Sequence, residues 1–243
     1  MNVASLLTSS EMGLTDLPSR SESGRLNQWI FEKIMTHATG NILELGSGSG
    51  EMCEIFAEQG LPLSLSDPKE YSCQLLRDKF SDLPIVKEIY HINLLAESFE
   101  ERYAGLLGYF DTVLSVNIAE HAQINPTAAS NARKLLASGG YLMVWTPIYT
   151  ALYNELDQAF NHWHRHNKES IRKILPRDVE IVKMRYFNLI GLVRRYLSGY
   201  RLYRPSMTPE KKSMFNELVP LFQIEDLVFQ QKGLAALVVA QKK

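Results

Sequence analysis

The segment Glu44-Leu45-Gly46-Ser47-Gly48-Ser49-Gly50 constrains this chain more than any other. It closes a short apolar run, Asn41–Gly46, that reads as a strand, and Met52, Ile55 and Phe56 then follow at helical spacing. Glycine at every second position between strand and helix permits positive φ and lets the backbone pass close to a ligand. A second strand, Leu61–Ser66, ends at Asp67-Pro68. A carboxylate about twenty residues beyond such a turn can accept hydrogen bonds from both hydroxyls of an adenosine ribose. The dinucleotide fingerprint G-x-G-x-x-G would need glycine at position 51, where this chain has Glu51. A negative charge there is a poor neighbour for a pyrophosphate seated at a helix N-terminus. Glu44 is equally out of place in a pure dinucleotide site; a carboxylate there can orient the turn or answer a cationic ligand such as a sulfonium or an amino acid.

The rest of the chain continues the alternation of strand and helix. Leu26, Trp29, Ile30 and Ile34 predict a helix over Arg25–Met35, and Tyr71, Leu75, Leu76 and Phe80 predict another. Ile85–Ile92 reads as a third strand, and the nearly continuous apolar run Phe110–Val116 as a buried parallel fourth. Pro126 opens a helix that Gly139-Gly140 ends, and Tyr141–Trp145 is the fifth strand. Strands and helices in this order predict a doubly wound, mostly parallel α/β sheet. Past residue 150 come a histidine-rich segment, a helix near 168–175, a strand near Val179–Tyr186, a long helical stretch to about 218 and an apolar strand, Gly233–Ala240. An excursion of that length between the last two strands reads as a lid, about 188–232. Residues 1–24, rich in Ser, Thr and Gly, read as a flexible lead before one domain over 25–243.

Charge and cysteine content remove several functions. Net charge is -1, so no global positive field exists to hold a nucleic acid. Cys53 and Cys73 are too few for a disulfide framework or a zinc site, and both are expected as buried thiols in helices. No carboxylate cluster at ligand spacing lies near the histidines, so no metal is expected. The first residues lack a basic region and a long apolar run, and no stretch approaches the ~20 apolar residues of a membrane span. The expectation is a cytoplasmic protein.

Further motifs carry a family resemblance. They are Asn117-Ile-Ala-Glu120-His121 after the fourth strand, Leu135-Leu136-Ala-Ser-Gly139-Gly140, and Leu152-Tyr153 through Leu156-Asp157 to His162. Asn188-Leu-Ile-Gly191 and Leu218–Leu221 complete the set. With the glycine turn, they resemble the class I methyltransferases. From about Arg25 onward the chain is similar to a bacterial branch of small methyltransferases sometimes fused to glycosyltransferases. The resemblance implies a Rossmann-like, doubly wound sheet of seven strands, the last antiparallel, with a helical lid insertion near the C-terminus. It implies S-adenosyl-L-methionine as cofactor, with contacts at Glu44, Gly46, Ser47, Gly48, Gly50 and Asp67. Asn93 and Leu94 match the pair that frames the adenine, although relatives usually carry aspartate at the first of them. Asn117 opens onto the methionine end. His164 and His166 stand where the relatives carry Arg and Tyr in an H-x-R-R-Y run, with Arg165 retained, on the side expected to face the acceptor. By analogy the acceptor is a small molecule, a sugar or a glycolipid.

Methyl transfer from a sulfonium is an in-line displacement, so alignment of the reactants is the main task. An oxygen acceptor also needs a proton removed, which a histidine can do near neutral pH. His121, just past the fourth strand, is the first candidate base, with a loop-capping role as the alternative. His162, oriented by Asp157 if that segment folds over the pocket, is the second, with a lid latch as the alternative. The basic and aromatic stretch Leu189–Arg204 suits an amphipathic lid helix, or else a surface for an anionic or lipid-linked acceptor or for peripheral membrane contact. Two rival readings stay open: a non-catalytic S-adenosylmethionine-binding module and a nucleotide-dependent oxidoreductase. A DNA amino-methyltransferase would want an Asn/Asp-Pro-Pro-aromatic loop where this chain has Asn-Ile-Ala-Glu.

Overall fold

The computed structural model describes residues 24–116, 126–147, 168–187 and 235–243. In chain order the elements are α1 (Gly24–Met35), β1 (Ile42–Leu45), α2 (Glu51–Glu58), β2 (Leu63–Asp67), α3 (Glu70–Phe80), β3 (Val86–His91) and α4 (Phe99–Arg102). Then come β4 (Phe110–Val116), α5 (Pro126–Leu135), β5 (Leu136–Pro147), α6 (Lys168–Ile174), β6 (Val179–Phe187) and β7 (Ala235–Lys242). The strands form one seven-stranded sheet in the order β3-β2-β1-β4-β5-β7-β6. The first five are parallel, and β7 enters antiparallel between β5 and β6. The predicted Rossmann-like topology is the observed one. The proposed lid at 188–232 and the lead at 1–23 lie outside the described residues.

The apolar runs are continuous because both faces of the sheet are covered. Side chains alternate along each strand. Ile42, Leu114, Met143 and Val239 join Trp29 and Phe31 of α1, Ile55 and Phe56 of α2, and Leu76 and Phe80 of α3. Leu43, Val113 and Leu142 face the other way, against Phe99 of α4, Tyr103, and Ala132 and Leu135 of α5. The chain winds outward from β1 to β3 and then returns to β4 on the other side of β1. Right-handed crossovers in opposite directions put their helices on opposite faces. The paired strands β1 and β4 therefore lead to helices on opposite faces, α2 and α5, which makes their carboxyl ends a topological switch point, where open α/β sheets bind ligands.

Two local differences from the sequence reading have physical causes. The helix opened by Pro126 ends at Leu135, four residues before Gly139, and β5 begins at once. Leu136 pairs with Phe110, the register then shifts, and the regular ladder resumes at Tyr141 opposite Thr112. The glycine pair belongs to this irregularity rather than to a helix end. Gly139 takes φ 77, and a Cβ at Gly140 would stand 3.0 Å from the carbonyl oxygens of Ala137 and Asp111. The second difference is α4 with the 3-10 turn Ala104–Leu106, where the sequence reading assigns no element. Phe99 and Tyr103, four apart and both buried, were the available signal.

Cys53 and Cys73 are free and buried, as expected. Burial, with the carboxylates of Glu44 and Glu54 nearby, pushes the Cys53 thiol far up, so it stays protonated. Gly50, the residue before α2, holds φ 83, and a Cβ there would meet Phe80 of α3 at 2.1 Å. Gly60 holds φ 65 but faces open space. Gly50→Ala should therefore cost about 2–5 kcal/mol, strain plus overpacking, while Gly60→Ala costs about 1–2 kcal/mol from strain alone. Urea unfolding of the two variants measures the difference; equal costs would mean that α3 does not press on the turn.

Candidate functional site

The glycine turn leaves β1 at the switch point, and Gly46, Gly48 and Gly50 all hold positive φ, at 71, 55 and 83. The turn is stitched to β2 by its backbone and by Ser47. The Ser47 N–H donates to the Ser66 carbonyl at 2.8 Å, and the Ser66 N–H donates to Ser47 Oγ at 3.3 Å. Ser66 Oγ in turn donates to the Glu44 carbonyl at 2.8 Å. Inside the turn, the Gly50 N–H donates to the Ser47 carbonyl at 2.8 Å. A Cβ on Gly48 would meet nothing within 4 Å, so the outer face of the turn is open where a ligand could approach it.

Asp67 ends β2 with 6% of its surface exposed, and each carboxylate oxygen already holds one backbone donor. Oδ2 accepts from the Gly48 N–H at 3.2 Å and Oδ1 from the Lys69 N–H at 2.9 Å. Each oxygen keeps further acceptor capacity. Asp67 thus braces the glycine turn, a role not read from the sequence. His91 braces the loop that follows, with Nε2 at 2.9 Å from the Pro68 carbonyl and Nδ1 at 3.3 Å from Glu70 Oε2.

Glu44 is 3% exposed, and its side chain is hydrogen-bonded by Ser47. Oε2 has no partner among the described residues. Burial raises the carboxyl to about 7, with the Ser47 hydrogen bond pulling the other way. A buried acidic oxygen without a donor is expensive. Its surroundings suit a cation or a strong donor supplied by a ligand.

Asn93 and Leu94 lie one strand further out, in the turn after β3, and the Ile92 N–H donates to the Asp67 carbonyl at 3.2 Å. The Asn93 N–H donates to the Tyr103 hydroxyl oxygen at 2.9 Å, and Asn131 Nδ2 donates to the Leu94 carbonyl at 2.8 Å. Sequence reasoning found neither Tyr103 nor Asn131, because each acts across a long separation that no spacing rule reveals. The structure brings Glu44, Gly46, Ser47, Gly48, Gly50 and Asp67 together and sets Asn93 and Leu94 beside them. Asn117, His121 and His162 lie outside the described residues, as do Asp157, His164 and His166. Among the described residues no group of three or more His, Cys, Asp or Glu could hold a metal ion.

Glu51 begins α2 and accepts from Asn27 Nδ2 at 2.9 Å, which leaves a carboxylate at the helix N-terminus where a dinucleotide site would seat its pyrophosphate. A family model described as a methyltransferase domain matches residues 22–178, well over half the chain. The chain belongs to the methyltransferase domain family. Its cofactor is S-adenosylmethionine, and the residues present fit that group. An open glycine turn, a carboxylate with spare acceptor capacity at the end of β2 and a partnerless buried acid suit a nucleoside bearing a cationic amino acid.

Solved structures share the architecture of this methyltransferase domain at low identity. An S-adenosylmethionine-dependent methyltransferase from Archaeoglobus fulgidus is 18% identical with a TM-score of 0.54, covering 89% of this chain and 93% of that one. A geranyl diphosphate C-methyltransferase from Streptomyces coelicolor, solved with S-adenosyl-L-homocysteine, is 14% identical with a TM-score of 0.59, covering 90% and 78%. A (4+2)-cyclase is 12% identical with a TM-score of 0.56, covering 90% and 80%. No curated protein matches the sequence.

The raised Glu44 carboxyl makes the ligand-free protein pH-sensitive. The unfolded chain loses this proton near 4.5 and the folded chain near 7. The unfolded state therefore binds fewer protons between those values, and stability falls as pH rises through that window and stays lower above it. Glu44→Gln should raise the unfolding free energy by about 3 kcal/mol at pH 8 and by little at pH 4.5. Urea unfolding at both values reads this; identical stabilities throughout would mean that the carboxyl reaches water.

Proposed function

We propose that this methyltransferase domain binds S-adenosylmethionine across the carboxyl ends of β1 to β4 and methylates an oxygen of a small-molecule, sugar or glycolipid acceptor. The observation that carries the binding mode is the partnerless Glu44 oxygen beside an open glycine turn braced by Asp67. In this reading Glu44 answers the cationic methionine end, with Asn117 near it. Gly46, Ser47, Gly48 and Gly50 line the ligand, Asp67 takes the ribose hydroxyls, and Asn93 and Leu94 frame the adenine.

When bound, the cofactor supplies a methyl group on a sulfonium that is already a good leaving group. The chain's own residues then align the acceptor and shed water. His121, with His162 as the second candidate, takes the acceptor's proton. The place among the glycosyltransferase-associated methyltransferases rests on the motifs at 117–121, 135–140 and 152–162, and the choice of oxygen rests on that analogy and the histidines. The solved neighbours include a C-methyltransferase and a cyclase, so a shared fold leaves the reaction open. No helix of the described residues is long and apolar enough to cross a membrane.

The test is calorimetric titration of the full chain with S-adenosylmethionine and S-adenosylhomocysteine. Wild type should bind both, and Asp67→Ala should weaken both by about tenfold or more through loss of charge-assisted hydrogen bonds. Near pH 6.5, titrations in buffers of different ionisation heat should show proton release by wild type and none by Glu44→Gln, because a cationic ligand favours the ionised carboxylate. A folded protein that binds neither ligand would sink the cofactor assignment. Binding without turnover on hydroxyl-bearing acceptors would favour the non-catalytic module.

A further inference from the structure

The turn after β3 is held more firmly than a surface turn requires. It closes on itself through the Leu95 N–H to Asn93 Oδ1 at 2.9 Å and the Ala96 N–H to the Asn93 carbonyl at 3.0 Å. Leu95 is 48% exposed, so the turn sits at the rim of the fold, where water commonly satisfies backbone groups. Two buried side chains nevertheless reach its two leading peptide groups. Tyr103, after α4, accepts from the Asn93 N–H, and Asn131, on α5 and 4% exposed, donates to the Leu94 carbonyl.

Burying an amide and a phenol is costly unless their hydrogen bonds are made in a defined geometry. Both are themselves supported. Lys134 Nζ donates to Asn131 Oδ1 at 3.0 Å and pairs with Glu100 Oε1 of α4 at 2.8 Å, which ties α5 to α4. The Tyr103 ring packs on Phe99 with centroids 4.7 Å apart. The turn also adjoins the residue that braces the glycine loop, since Asp67 pairs with His91 in the β2–β3 ladder.

We infer that Asn131 and Tyr103 are positioning residues for the cofactor's base, clamping the Asn93–Leu94 turn from α5 and α4 at a set place beside Asp67. This rests on the reading of that turn as the adenine frame. Neither side chain is assigned contact with the cofactor; each acts through the backbone it holds. The clamp makes base recognition depend on helices packed on the sheet face opposite α2 and α3.

Asn131→Asp removes the donor with almost no change of shape, and Tyr103→Phe removes only the hydroxyl. The probes are 5′-methylthioadenosine, S-adenosylhomocysteine and S-inosylhomocysteine, titrated into the full chain beside a thermal melt. Each variant should weaken 5′-methylthioadenosine and S-adenosylhomocysteine by the same factor, roughly three- to tenfold, and should lower the preference for the adenine over the hypoxanthine ligand. Glu44→Gln should instead spare 5′-methylthioadenosine, which lacks the amino acid. Variants with a lowered melting point but unchanged affinities and unchanged base preference would overturn the inference and leave the two side chains as struts. If wild type binds no adenosine ligand, the cofactor assignment itself fails and the inference falls with it. If one variant does not fold, the other decides.

Discussion

The site depends on one carboxylate that collects backbone donors from two loops. Asp67 takes the Gly48 N–H from the turn after β1 and the Lys69 N–H from the turn after β2. A charged acceptor makes both bonds stronger than neutral ones, and burial keeps water from competing. The loops after β1 and β2 are thereby locked to each other before any ligand arrives. The Ser47–Ser66 exchange repeats the lock one layer deeper. A ligand therefore finds its cradle already built and need not supply the ordering free energy.

The same construction leaves one interaction unmade. Glu44 stands on the face of β1 that packs under α1 and α2, held by Ser47 through one oxygen and with the other partnerless among the described residues. A chain selected only for stability would place an apolar residue there. Strain and unmet polar groups gather where a ligand completes a structure, and the partnerless oxygen beside the open glycine turn is such a group. Stability and binding pull in opposite directions at this residue.

How much was legible varies with how local the determining interaction is. The turn from Glu44 to Gly50 and the terminal Asp67 were readable because each meaning resides in a few adjacent residues: a positive φ needs glycine, and a strand end needs a place to stop. The antiparallel entry of the last strand came from family resemblance rather than from periodicity, since alternation alone predicts only parallel crossovers. The role of Gly139-Gly140 was misread because a glycine pair after a helical run looks like a helix end. Only the β4 backbone pressed against Gly140 makes it a bulge. Asp67 was found for its acceptor capacity and missed as a brace, because its partner Gly48 lies nineteen residues away.

The sequence by itself determined the strand–helix rhythm, the glycine turn, the acids Glu44 and Asp67 that flank it, and the charge at Glu51 that counts against a dinucleotide pyrophosphate. All of these follow from backbone conformation and charge, which are properties of short segments. Tertiary structure alone decided which acid would be left with a partnerless oxygen and which would hold a backbone donor on each oxygen, because burial and hydrogen bonding are set by the neighbours a fold supplies. It also decided that Tyr103 and Asn131 would meet on one turn. Asn131 Nδ2 reaches a carbonyl thirty-seven residues back along the chain, and only the stacking of α5 and α4 against the same sheet face brings them within 2.8 Å.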